Sequence, residues 1–280
     1  MLTVLDRKTS GKNQIVSEII VITPDMAKQW LEHNKKNRKV TGSTVAKYAR
    51  DIKEGRWQIT GDAIRFDTNK NLIDGQHRLL ACVKADMPFS TAVTYGLPPE
   101  AQDVMDMGKM RSAGDVLSLH GLHNTNALTT AIRTLMAERD GIGKPNASTY
   151  STAAILECLE KHPLISRHVP PPGQLPRGIP VAQVGYVRYV ASEFMGHAQR
   201  ATAMFEVLKT GVPDYTGDPI HAFRERIIRN GDNSAVAIKR ESKWWTLKHA
   251  FNLFVKGDGV TNLRFARENC TLIGLNLKKL

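Results

Sequence analysis

With 280 residues, 41% of them hydrophobic and 24% charged, the chain has the composition of a soluble globular protein and is long enough to bury one large core or two smaller ones. It contains no apolar run of the roughly 20 residues needed to span a bilayer, and Arg7, Lys8 and Lys12 are not followed by an apolar stretch of signal length, so the expectation is a cytoplasmic protein without a secretory leader or membrane contact. The formal charge is +12, from 39 basic and 27 acidic residues, which favours a polyanionic partner over an acidic or membrane-embedded role.

The first 18 residues lack periodicity and read as a flexible arm. Ile19 to Ile22 is a β-branched run that predicts a strand. Thr23-Pro24-Asp25 then supplies a hydroxyl cap, a proline for the first helical position and an acid, which predict a helix start. Lys35 to Lys39 forms a basic loop with Lys36, Arg38 and Asn37 inside it. A second helix is expected from about Ser43 to Glu54, with Val45, Tyr48, Ala49 and Ile52 on its buried stripe. Lys47, Arg50 and Lys53 recur every third residue beside that stripe, and Arg56 follows. Residues 28–56 hold 9 basic and 3 acidic groups, the whole excess of the first 97 residues (16 basic, 10 acidic). Such a concentration is the footprint of a nucleic-acid binder, DNA first and RNA second; a solvated face that aids solubility is the plainer reading.

Ala63 to Asp67 alternates, Thr68-Asn69-Lys70 makes a turn, and Asn71 to Ile73 returns, predicting a hairpin. It leads into Asp74-Gly75-Gln76-His77-Arg78, after which Leu79, Leu80 and Val83 take up helical spacing. Unpaired N–H groups at a helix start favour an anion. Arg78 adds a forked cation and His77 a group that titrates near neutrality. Gly75, Gln76, His77 and Arg78 are therefore candidates for a phosphate or nucleotide, Asp74 and His77 for any catalysis, and Asp74 for a metal ion. In the plainer alternative Asp74 caps the helix, Gly75 makes the turn, and His77 and Arg78 pair with surface groups.

This pentapeptide before an apolar helix, with Gly55-Arg56-Trp57 and the run Gly61 to Asp67 ahead of it, resembles the Asp-Gly-Gln-His-Arg variant of the ParB/sulfiredoxin-like domain. Residues 19–97 are similar in layout to phage and actinobacterial proteins of the ParB N-terminal-like type, and the likeness continues more weakly through Gly96 to Glu100 and Asp103 to Arg111. The resemblance implies a cytidine-type nucleotide or phosphate at the turn, with Mg2+ and a nucleoside triphosphate as cofactors, a DNA-associated role in a phage or mobile element, and weak metal-dependent nuclease or NTPase activity. Gln76 stands where ParB has a glutamate and sulfiredoxin its reactive cysteine, so the sulfiredoxin reaction is not open to this chain. The alternative is a non-catalytic module that binds DNA or a host protein and keeps the turn for structure. Homo-oligomerisation is compatible with either.

After Pro99 the periodicity turns helical. Ala127, Leu128, Ala131, Ile132, Leu135 and Met136 mark one helix; later stripes include Val184, Val187 and Val190, then Trp244, Leu247, Phe251 and Phe254. Pro170 to Pro172 and on to Pro180 form a stiff loop. The expected fold is α+β: a small mixed-sheet ParB/sulfiredoxin-like domain over 19–97 and a helical domain over 98–280, with the proline-rich loop at 169–180.

Other features carry less. Basic residues from Arg224 to Lys248 surround Trp244 and Trp245, which suits base stacking, although Trp244 fits a core stripe. Asp103, Asp106 and Asp115 are solvated helix acids or metal ligands. His120 and His123 lack partners at zinc spacing. Gly141 to Pro145 lacks the ending of a P-loop. Cys82, Cys158 and Cys270 lie far apart, as in a reducing compartment.

Overall fold

The computed structural model describes residues 15–35, 37, 39–104, 112–143, 145–230, 240–266 and 268–280. Its fold is α+β, and the chain divides into two units. One comprises residues 1–111 together with 147–154; the other comprises 112–146 and 155–280. The first unit thus runs past residue 97, the boundary expected from sequence, and takes in the 3-10 turn Pro99–Val104.

In the first unit the elements run β1 (Val16–Ile22), α1 (Pro24–Leu31), α2 (Gly42–Lys53), β2 (Ile64–Asp67), β3 (Leu72–Asp74), α3 (Gln76–Ala85) and β4 (Phe89–Leu97). The sheet order is β1-β4-β2-β3. β1 pairs antiparallel with β4 from Val16 opposite Tyr95 to Ile22 opposite Phe89, β2 pairs parallel with β4, and β2 and β3 form the antiparallel hairpin. The arm expected over 1–18 is corrected at its end: Val16, Ser17 and Glu18 belong to β1. Polar Ser17 and Glu18 hide the strand in the sequence, but alternation is what a strand with one buried face requires; residues 1–14 lie outside the described part.

α1 and α2 pack against α3, and the apolar stripes of all three share one core with the buried face of the sheet. Thr23 caps α1, its hydroxyl accepting from the Met26 N–H, and Pro24 occupies the first turn. Val45, Ala49 and Ile52 of α2 are buried as their spacing predicts. The core joins Trp30 edge-on to Phe66 at 5.3 Å, Phe66 stacked on Tyr95 at 5.6 Å, and Trp57 edge-on to Phe89 at 5.0 Å. Cys82 is fully buried among these residues, and burial, with Asp86 adding to it, pushes its thiol up to about 11. It is a core residue, not a nucleophile.

The second unit contains α4 (Ala113–Leu119), α5 (Thr125–Arg139), α6 (Thr152–Lys161, which begins in the first unit), α7 (Ile165–His168), α8 (Val181–Glu193), α9 (Ala198–Thr210), α10 (Pro219–Asn230) and α11 (Arg240–Lys256). No strand occurs there among the described residues. α8 is apolar nearly all round and forms the centre, with Val184, Tyr186, Val187 and Val190 excluded from solvent. Gly185 is needed where α8 meets the proline-rich loop, since a Cβ there would lie 2.9 Å from the Val169 Cα. Among the described residues no helix is long and apolar enough to cross a membrane.

Candidate functional site

The hairpin β2–β3 delivers Asp74 to the start of α3. Gly75 is the N-cap, at φ +104°. An L side chain rarely adopts that backbone conformation, and a Cβ would stand 2.7 Å from Ile64 Cγ1. The turn therefore needs glycine both for its φ and for the close approach of β2.

The four polar side chains of the turn divide into two pairs. Asp74 and Arg78 grip the segment around β2. The Arg78 guanidinium donates to the main-chain oxygens of Asp62 and Ala63, the latter at 2.7 Å, and to Asp74 Oδ2 at 3.0 Å. Asp74 Oδ2 also accepts from Arg65 at 2.9 Å, while Asp74 Oδ1 accepts from the Gly75 N–H at 2.7 Å. The Arg78 side chain is only 12% exposed. Both arms of its fork are thus occupied by the chain's own groups. Asp74 likewise has both oxygens engaged, with two guanidinium groups facing one of them. That setting does not suit a divalent cation, which would have to displace or sit beside two fixed positive charges. Gln76, a neutral amide, adds no carboxylate. Among the described residues no group of three or more His, Cys, Asp or Glu side chains could hold a metal ion.

Gln76 and His77 turn the other way, towards the connection between α1 and α2. Gln76, 4% exposed, accepts from Asn34 Nδ2 at 3.1 Å. His77, 9% exposed, accepts the Thr41 N–H on Nε2 at 3.0 Å. An accepting Nε2 carries no proton, so the neutral ring holds its proton on Nδ1. Further bonds complete the tether. The Leu72 N–H donates to the His33 carbonyl at 2.9 Å, Asn37 donates to the Leu72 carbonyl at 2.6 Å and to Asn34 Oδ1 at 2.7 Å, and Gln102 donates to Asn37 Oδ1 at 3.2 Å. The connection is therefore held to the hairpin and to α3 at His33, Asn34, Asn37 and Thr41. Lys35 and Lys39 are exposed on it; Lys36 and Arg38 lie outside the described residues.

The basic row of α2 is differently placed. Lys47 is half-buried with its ammonium 5.0 Å from the Tyr48 ring centroid, and burial lowers its pKa, with Asp51 opposing. Arg50 lies over Tyr150 at 5.4 Å. Arg56 pairs with Glu54 and with Asp51 Oδ1 at 3.2 Å, and that oxygen also accepts from Ser151 at 2.8 Å. Residues 150 and 151 thus close over this side of α2, and of the four cations Lys47, Arg50, Lys53 and Arg56 only Lys53 is exposed.

Elsewhere, Trp244 is buried, edge-on to Tyr186 at 5.5 Å, with the Lys248 ammonium 4.5 Å from its ring centroid. It packs the core instead of offering a stacking face. Arg224 donates to the Leu208 carbonyl at 3.0 Å and Arg226 to the Leu263 carbonyl at 3.0 Å. Asp115 completes a capping box with Ser112. His120 and His123 are exposed; Asp106 and Lys144 lie outside the described residues. Comparison with models of protein families, with curated proteins and with solved structures found no match.

Proposed function

We propose that this chain is a non-catalytic nucleic-acid-binding protein. In this reading the Asp74–Arg78 turn is a fastener, and the connection at residues 33–41 meets the phosphate backbone. The observation that carries it is the tether from Gln76, His77 and Leu72 to that connection. Lys35, Lys36, Arg38 and Lys39 are four cations within five residues. Fixing Asn34, Asn37 and Thr41 costs about 1–2 kcal/mol of backbone entropy per residue, from which a segment that served solubility alone would gain nothing. Holding it at these points spares that part of the cost when the segment meets phosphates. A nucleotide at the turn, with Mg2+ and hydrolysis, is the less favoured reading, since the same side chains would have to leave their present partners.

The test is fluorescence anisotropy with labelled duplex DNA and RNA over a salt series. Neutralising Lys35, Lys36, Arg38 and Lys39 together should weaken binding more than tenfold. It should also reduce the salt slope by roughly 0.9 for each phosphate of duplex DNA that is no longer neutralised. Neutralising Lys47, Arg50 and Lys53 should change affinity by less than about threefold. Absence of salt-dependent binding by wild type would end this reading. A rise in melting temperature with a nucleoside triphosphate and Mg2+ that is lost in a folded His77→Ala variant would return the turn to a nucleotide-binding role.

A further inference from the structure

A cleft of about 410 Å³ opens in the second unit between α5, the end of the proline-rich loop and α11. Its polar lining is Asn126 and Thr130 from α5, Gln183 from α8 and Lys243 from α11, and no carboxylate lines it among the described residues. α8 begins at this cleft. Its N-cap is Pro180, which offers no side-chain acceptor. The N–H groups of Val181, Ala182 and Gln183 consequently have no acceptor among the described residues. Such a helix end carries a partial positive charge and three aligned donors.

Two side chains add to this. Gln183 is 9% exposed and lines the cleft, yet its amide has no hydrogen-bond partner among the described residues. Most of the residue is covered while the amide itself opens onto the cleft, which leaves its donor and acceptor available to a group that arrives from outside. Lys243 has no carboxylate partner among the described residues either; it donates to the Gly178 carbonyl at 3.5 Å. An unpaired ammonium, an uncapped helix and an unpartnered amide thus converge on one cavity, while Pro180 and Val181 provide an apolar wall.

We infer that this cleft binds a small organic oxyanion, its phosphate or carboxylate head on the α8 N-terminus and Lys243 and its uncharged body against Gln183 and the apolar wall. Its volume is that of a small-molecule site, and a phosphate at a helix start is held by the donors already present. The cleft's lining belongs to the second unit and the basic connection to the first.

The experiment is calorimetric titration of the full chain at low ionic strength with inorganic phosphate and, separately, with acetate. Saturable binding of either anion is expected, and which one binds more tightly assigns the head group. Lys243→Ala should weaken it at least tenfold. Gln183→Glu, which places a carboxylate in the cleft, should abolish it, while Lys256→Ala and Lys35→Ala/Lys39→Ala should leave it unchanged. Each variant is first shown to be folded by circular dichroism, with Lys243→Gln replacing Lys243→Ala if that variant is not. No saturable binding of either anion overturns the inference. So does binding that survives the loss of Lys243 or disappears with the loop lysines.

Discussion

Replacing Arg78 by alanine separates the two roles its position allows. As a ligand for phosphate, its loss would remove a charge-assisted contact worth on the order of 1.5–3 kcal/mol and leave the fold intact. As a fastener, its loss strands the Asp62 and Ala63 carbonyls and one oxygen of Asp74, which then keeps only Arg65. Bonds involving an ionised group contribute roughly 1.5–3 kcal/mol each. Asp62 is exposed, however, so water can replace part of what is lost. Removing one member of a largely buried charged set costs about 3–5 kcal/mol, and that is the expected destabilisation of the first unit. Arg78→Lys keeps the charge but cannot span three acceptors with a fork, and should cost about half as much. Urea unfolding followed by the fluorescence of Trp30 and Trp57, with Trp244 and Trp245 replaced by phenylalanine, reads this directly. Refutation is simple: a loss below about 1 kcal/mol for Arg78→Ala, accompanied by a tenfold or greater fall in phosphate or nucleic-acid affinity, would make Arg78 a ligand.

Gly75→Ala should destabilise the same unit by about 2–3 kcal/mol, because it combines a left-handed φ with a 2.7 Å contact to buried Ile64; the urea midpoint checks it. Lys248, with no exposed side-chain surface, donates to Glu138 at 2.7 Å and Asn269 at 2.6 Å. Lys248→Met alone should cost about 3–5 kcal/mol by leaving Glu138 unpaired, and Lys248→Met/Glu138→Leu should recover most of it in a double-mutant cycle. His162 is held below the ordinary imidazole range by burial, against an opposing bond to the Leu280 main-chain oxygen, and His168 by burial against its bond to Glu193. The folded state therefore prefers both rings neutral. Their contribution is complete above about pH 6.5 and is lost as pH falls through the lowered folded values, so the melting temperature of the second unit should drop between pH 7 and 5, and less steeply in His162→Gln.

Local periodicity made much of the architecture legible. The hairpin before the turn, the buried stripe of α2 and the helical second half all announce themselves over windows of four to fifteen residues, where side-chain spacing and backbone period must agree. What the sequence did not disclose depends on contacts between distant residues. Asn34 and Asn37 have no pattern of their own, and their partners Gln76 and Leu72 lie 42 and 35 residues away. Arg56 pairs with Asp51 five residues back, a spacing that helical i, i+4 arithmetic passes over. The parallel pairing of β2 with β4 likewise joins segments separated by α3. At Arg78 the residue types did point to strong anion recognition, but main-chain carbonyls at the entry to β2 and the carboxylate of Asp74 satisfy a guanidinium as well as a phosphate does.

The division of labour within the turn also accounts for the amide at position 76. The side chain there is buried and accepts from Asn34, at the start of a connection whose sequence carries four cations. A glutamate would accept the same bond, yet it would bring a negative charge to Asn34 at the start of the basic connection, where withdrawal from solvent strengthens its attraction for cations. It would hold the connection in place and cancel part of its field. Glutamine accepts the bond and leaves the positive potential whole. His77, accepting through a neutral ring nitrogen, meets the same condition at Thr41. The charged pair, Asp74 and Arg78, is directed at β2, where opposite charges offset each other and the net field on the connection changes little. On the proposed reading, an amide at position 76 fastens the connection without adding a charge beside it.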